Sequence, residues 1–285
     1  MIITKEMSMT SRKEKEVFML PGAYLSFKKD HTPYYRSSIT YLSKHISLGS
    51  FSTEKEAHMA YMEAQKIYQD ASIHLLNYKQ HIKTLSNEKV ILLLNHRDHK
   101  IYFKTPIYLQ GGYFSYYLYG TKELKFDNDD LFYYSSHKIL LHDGHYYVND
   151  YGMQYGILAR YGIKNHAVAG KDYQFANGDS HDFRYQNIIV INRYHGVTEI
   201  MVQDMKRFIT KIHINGEFII GRFRSDAKAA VAYNKACDLA KNAGITKEYT
   251  LNYVLEYTPK EYAEIYTSIT MPKNFLTYLN QQKKC

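Results

Sequence analysis

The chain has 285 residues, 45% of them hydrophobic, which is apolar material for two or three small domains, each with its own core. A total of 37 lysines and arginines stands against 28 acidic residues, a formal charge of +9, and that balance favours polyanionic partners because neutralised phosphates release condensed counterions. Cys237 and Cys285 form no C-x-x-C pair, which argues against a thiolate zinc site or a disulfide scaffold and for a reducing compartment. The polar opening "MIITKEMSMTSRKEKE" lacks the apolar region of a secretory signal, and no run nears the roughly 18 apolar residues of a membrane span. A cytoplasmic location with no membrane partner is therefore expected.

In chain order, the first element pattern is "YRSSITYLSKHISLGSFSTEKEAHMAYMEA", starting at Tyr35. It reads as strand, turn, strand, helix, with Ser52 or Thr53 capping the helix and Glu56 at capping-box distance from Thr53. The apolar run "VILLLN" from Val90 is strand-sized. From there to about Tyr194 the chain is dense in tyrosine and rich in strand patterns. Asp143-Gly144 marks a hairpin turn between "HKILL" and "HYYVN". "YGMQYGILARYGI" reads as a short helix. Asn177, Gly178 and Asp179 form a turn, and "DFRYQNIIVIN" runs from a turn or short helix into an apolar strand.

A second copy of the first pattern begins at Phe208. Gly49, Phe51, Ala57, Ala60, Tyr61 and Ala64 recur as Gly221, Phe223, Ala229, Ala232, Tyr233 and Ala236, each 172 positions on. Ile39 and Tyr41 match Ile212 and Ile214 after a one-residue hairpin deletion. Phe208, Thr210, Ile212 and Ile214 alternate with Arg207, Ile209, Lys211 and His213, the period of a strand with one face covered. Ser225 or Asp226 can cap the following helix and Gly244 can end it. The chain closes with a helix that Thr258, Pro259 and Glu261 start. Its Tyr262, Ile265 and Tyr266 recur at helical spacing, so packing on the preceding domain is expected, with a dimer contact as the alternative.

"LGSFSTEKEAHMAYMEA" and "IGRFRSDAKAAVAYNKA" resemble the Apetala-two/ethylene-response-factor type of DNA-binding domain, in which a three-stranded sheet rests on a helix and its strand residues read the major groove. The resemblance implies DNA-facing positions at Arg36, Ser38 and Thr40 in the first copy. In the second it implies Arg207, Lys211 and His213, with Arg222 beside the groove and Lys206 adding charge. The middle segment is similar to HNH homing endonucleases: Asn177, Gly178, Asp179, Asp182, Arg184 and Asn187 stand where that family has N-G-D, D, R and N. Its general-base histidine, however, falls on Phe175, the preceding metal-ligand position on Gln174, and a further asparagine on Phe183. A phenyl ring neither accepts a proton nor binds a cation.

The expected fold class is α+β, with two three-stranded-sheet-plus-helix modules (20–88 and 196–285) flanking a strand-rich degenerate HNH, ββα-like, core (89–195). The expected function is non-catalytic binding of double-stranded DNA, as a sequence-specific transcriptional regulator descended from a homing endonuclease, with no cofactor and a nucleoid-associated location if the source is bacterial or phage. The alternative is an active endonuclease with a rearranged site that uses a divalent metal such as Mg, for which His181 and Asn187 are the rescue candidates.

Overall fold

The computed structural model of the chain describes residues 19–282; the polar N-terminal stretch and Cys285 lie outside them. Among the described residues it is an α+β protein, with five small three- or two-stranded sheets and seven α-helices. The chain divides into two compact units. Unit 1 runs to Leu109 and adds Tyr116–Lys122; unit 2 takes Gln110–Ser115 and the chain from Glu123 on.

Unit 1 begins with β1 (Ala23–Phe27), β2 (Pro33–Tyr41) and β3 (Lys44–Phe51), an antiparallel sheet in that order, followed by α1 (Glu54–Gln69). Of the two capping candidates, Thr53 does the work: its hydroxyl accepts from Glu56 N at 3.2 Å while the Glu56 carboxylate accepts from Thr53 N at 3.1 Å. Ala57, Ala60 and Ala64 are fully buried, and with no side chain beyond Cβ they let α1 approach Ile39, Ile46 and Leu48 of the sheet. After α2 (Tyr78–His81) comes α3 (Asn87–His99). The run "VILLLN" is thus helical, a correction to the strand-length reading. Ser86 caps α3 by accepting from Lys89 N, and every residue from Val90 to Arg97 is buried, so no 3.6-residue polar rhythm marks it in the sequence. Val90, Leu93 and Leu94 pack with Ile67 and Ile73 in the unit 1 core. Arg97 closes the end of α1 by donating from Nη1 to the carbonyls of Ile67 and Asp70 at 3.0 Å each, acceptors at the helix end, and to that of Ile73 in the following turn at 2.8 Å.

Next along the chain, β4 (Ile107–Leu109), β5 (Tyr113–Leu118) and β6 (Lys122–Asp127) form a small sheet, followed by α4 (Leu131–Tyr134). In unit 2, β7 (Ile139–His142), β8 (His145–Asp150) and β9 (Met153–Gly156) make a meander. Its two turns, Asp143-Gly144 and Tyr151-Gly152, each hold two residues at positive φ, the left-handed pair that a tight hairpin needs. The expected helix in "YGMQYGILARYGI" is instead strand β9 and a 3₁₀ turn over Ile157–Tyr161. β10 (Tyr173–Phe175) pairs with β11 (Ile188–Val190).

The second copy of the repeat is β12 (Val197–Val202), β13 (Met205–His213), β14 (Glu217–Phe223) and α5 (Asp226–Asn242). Ser225 is the cap, and Gly244 at φ +88° follows the helix end. α6 (Pro259–Ser268) starts on the Thr258–Glu261 capping box. With α7 (Lys273–Gln282), which bears the buried Phe275 and Leu279, it packs on the α5 core.

The two copies match beyond their aligned letters. In β13/β14, Thr210 pairs with Gly221 and Lys211 with Ile219, leaving Ile220 as a bulge; in β2/β3, Ser37 pairs with Gly49 and Ser38 with Ser47, leaving Leu48. Both bulged side chains enter their cores, at 3% and 4% exposure. Before each first strand stands a glycine at positive φ, Gly22 and Gly196, where a Cβ would overlap the ring of Tyr61 or Tyr233. The two glycines, and β1 and β12 themselves, lie upstream of the aligned sequence blocks.

Candidate nucleic-acid interface

Strand pairing assigns the faces of the second module. Paired residues share a face and alternate along a strand, so Phe208, Thr210 and Ile212 look toward α5, while Arg207, Ile209, Lys211 and His213 look away from it. Arg222 lies opposite Ile209 and therefore joins them. Arg207, Lys211, His213 and Arg222 thus share one face, and each is exposed or half-buried. Lys206 pairs with Met201 and so has the other parity; its Nζ lies 3.0 Å from the Glu199 carboxylate.

The cations of this face are not equivalent. Lys211 Nζ is 2.8 Å from Glu217 Oε2 across the hairpin, and that hydrogen bond and charge hold Glu217 below the ordinary carboxylate range. Arg207 donates from Nη1 to the Lys206 carbonyl at 3.0 Å and has no acidic partner among the described residues. Arg222 is exposed. His213 offers its carbonyl to Lys247 Nζ at 2.9 Å and to the Tyr249 hydroxyl at 3.1 Å. Lys247 thereby adds a cation to the edge of the face that strand periodicity could not find, because it comes from the connection after α5. The face opposite α5 is not uniformly bare: Ile209 is only 7% exposed.

In the first module Arg36, Ser38 and Thr40 likewise share the face opposite α1. Arg36 lies between Tyr24 and Ser50, Ser38 faces Ser47, and Thr40 faces His45 with Oγ1 3.4 Å from the imidazole Nδ1. Ser38 and Ser50 stand where the second copy has Lys211 and Arg222, and Arg36 stands where it has Ile209. Beneath the face, the copies differ again. Thr210 Oγ1 donates to Ala229 O at 2.9 Å, whereas Ser37 Oγ, at the matching position, is buried with no hydrogen-bond partner.

In the middle segment, two of the three positions aligned with HNH chemistry, 175 and 183, carry rings that pack together. Phe183 is 2% exposed. Its ring stacks on Phe126 at 5.5 Å and meets Phe175 and Tyr146 edge-on at 5.7 Å each. Gln174 is exposed on β10, between Tyr173 and Phe175. The polar residues that match the family pattern hold the turn together. Asp182, with 1% side-chain exposure, takes Arg184 Nε at 2.8 Å and Nη2 at 2.6 Å, and Asn177 Nδ2 at 2.9 Å. Burial alone would raise the Asp182 carboxyl, but the Arg184 hydrogen bonds and charge outweigh it and hold the group below its ordinary range. Asn187 is used at both ends: Oδ1 accepts from Asn177 N at 2.8 Å, and Nδ2 donates to Asp182 O at 2.8 Å.

His181 is half-exposed, with Nδ1 3.6 Å from Asp179 Oδ1. The backbone N–H of His181 and the Lys125 ammonium, 3.3 Å from Oδ2, hold Asp179 below the usual carboxylate range. No trio of histidine, cysteine, aspartate or glutamate converges on a common point among the described residues. A phenyl, an amide and a second phenyl at positions 175, 174 and 183 do not fit a divalent cation.

One charged pair carried no sequence signal. Asp130 is fully buried and is gripped by the Arg160 guanidinium, with Nε at 2.8 Å. Arg160 lies 4.7 Å over the Tyr133 ring, so a contact 30 residues apart in sequence ties the β6–α4 connection to the 3₁₀ turn. No protein family, curated protein or solved structure matches the chain.

Proposed function

We propose that this protein binds double-stranded DNA without cutting it and acts as a sequence-specific transcriptional regulator, with a core related to HNH homing endonucleases and two flanking modules of the Apetala-two type. The observation that carries the proposal is the face of β12–β14 opposite α5, where Arg207, Lys211 and Arg222 stand together. A major groove about 12 Å wide admits a two-stranded β-ribbon such as the β13–β14 hairpin, and guanidinium groups on it reach both phosphates and guanine edges. The net charge of +9 supports a polyanionic partner. In this arrangement the second module supplies most of the electrostatic affinity, and Arg36, Ser38 and Thr40 lengthen the footprint. Such a protein works where the DNA is, in the cytoplasm or on a nucleoid.

The test is a selection on random duplexes followed by anisotropy titrations across salt, alongside a supercoiled-plasmid nicking assay with Mg. The expected outcome is salt-dependent binding whose log–log slope falls by about 1 for each phosphate-contacting arginine removed, with no nicking. Metal-dependent nicking that disappears in His181→Ala or Asn187→Ala would establish the endonuclease alternative instead. Absence of salt-dependent retention on duplex DNA would remove the nucleic-acid role.

A further inference from the structure

The face opposite α5 carries aliphatic side chains in a pattern that the cations alone do not explain. Strand pairing sets Ile200 opposite Arg207, Ile209 opposite Arg222 and Ile219 opposite Lys211. Every one of the three long cations therefore has an isoleucine as its direct cross-strand neighbour, where Cβ atoms stand about 4.5–5.5 Å apart. Ile219 is 41% exposed, and Val202 and Met205 at the hairpin end are 40% and 48% exposed. The first module has nothing of the kind: Arg36 lies between Tyr24 and Ser50, and Ser38 faces Ser47.

A face for a protein partner would concentrate its apolar groups and exclude charge from their centre; here each isoleucine is tied to a cation. A face for single strands would offer tyrosine or phenylalanine for stacking, and this one offers neither. In the major groove one apolar group is available to be read, the C5 methyl of thymine, and it lies beside phosphates and within reach of guanine acceptors. Same-face residues on a strand are about 6.7 Å apart, roughly two base steps at 3.4 Å each, so neighbouring rows meet alternate steps.

Resting on the duplex-binding proposal, we infer that the second module reads thymine methyl groups with Ile219 and Ile200, Ile209 being only 7% exposed, while the adjoining Arg207, Arg222 and Lys211 hold the neighbouring phosphates and guanine edges.

The test uses the full chain and the duplex recovered by selection, with each thymine replaced in turn by deoxyuridine, which lacks only the methyl. At one or more positions binding is expected to weaken about fourfold, the burial of one methyl group. Ile219→Ser should abolish the thymine-over-uracil preference at one such position and leave the salt slope unchanged. Arg222→Ala should weaken thymine and uracil duplexes equally and lower the slope. Circular dichroism melting of each variant confirms that the fold is retained, and Ile200→Ser provides a second probe on the neighbouring strand. Equal binding of every deoxyuridine duplex overturns the inference while leaving duplex binding intact. Persistence of the full preference in both isoleucine variants overturns it too, because the discrimination would then come from DNA shape. Absence of salt-dependent duplex binding removes the underlying proposal and the inference together.

Discussion

Phe183→Ala tests whether the aromatic cluster around Phe183 holds the turn between β10 and β11. The ring is 2% exposed and meets Phe126, Phe175 and Tyr146 at 5.5–5.7 Å. Removing a buried phenylalanine side chain costs about 3–5 kcal/mol, from lost transfer energy and the cavity left behind. The chain contains no tryptophan and has two compact units, so a global fluorescence melt would not isolate the effect. Hydrogen exchange by mass spectrometry does. The amides of Ala176 and Asn177 donate to the Asn187 carbonyl and side chain at 2.8 Å, and both sit in the turn that Phe183 packs beneath. At about 1.4 kcal/mol per power of ten, their exchange should quicken by roughly two to nearly four powers of ten, up to the stability of the turn itself. Phe183→Leu should cost much less. Phe183→Asn should cost more than the alanine, because it buries an amide with no partner. Acceleration below about fivefold in the alanine variant, or wild-type protection in the asparagine variant, would mean that position 183 is an open polar site and that the aromatic core does not hold the turn.

Asp182→Asn should lower the stability of the β10–β11 turn at pH 7 by up to about 3 kcal/mol, since it leaves Arg184 facing a neutral group. It should also flatten the acid limb of a melting-temperature profile: the folded carboxyl titrates below its ordinary range, so its contribution is complete above the unfolded value near pH 3.9 and is lost as pH falls through the lower folded value. Gly196→Ala places a Cβ against the Tyr233 ring and 2.7 Å from Lys211 O at φ +68°. Thermal melts should show a loss of about 3 kcal/mol or more. Gly178→Ala, at φ +77° in open space, should lose only about 1 kcal/mol of backbone strain. Thr210→Val should destabilise by about 1 kcal/mol through its bond to Ala229 O. Ser37→Ala, which removes a buried hydroxyl that has no partner, should be neutral or stabilising by a similar amount.

The repeat was legible because its recurrent letters are those that packing restricts. Ala57, Ala60 and Ala64, and Ala229, Ala232 and Ala236, are fully buried where each helix meets its sheet, and helical spacing puts them in register. What precedes the aligned blocks was not legible. The first hairpins of the two copies differ in loop length, so Gly22 and Gly196 fall out of the constant 172-residue offset although they meet the equivalent tyrosines, Tyr61 and Tyr233. Helix α3 was missed because a segment buried on all sides shows no polar face. The cap at Ser86 and the 13-residue span are its only local signs of helix. Arg207, Lys211 and His213 were legible through strand alternation, and Arg222 only through the resemblance. Lys247 was not, since it approaches His213 from 34 positions away, and neither was the Asp130–Arg160 pair, whose partners share no periodic element.

The two copies diverge chiefly on one side of one layer. Toward the helix, alanines, a bulged aliphatic residue and a glycine–tyrosine contact are common to both, because a close-packed interface tolerates few volumes. Away from the helix, the first copy offers Tyr24, Ser38, Ser47 and Ser50 around a single arginine, while the second alternates isoleucines with arginine and lysine. Side chains on that side contribute little to folding, so they are free to change with what the sheet binds. The middle segment is divided by the same logic. Asp182, Arg184 and Asn187 hold a turn through their hydrogen-bonding groups, whereas Phe175 and Phe183 meet edge-on and contribute packing alone.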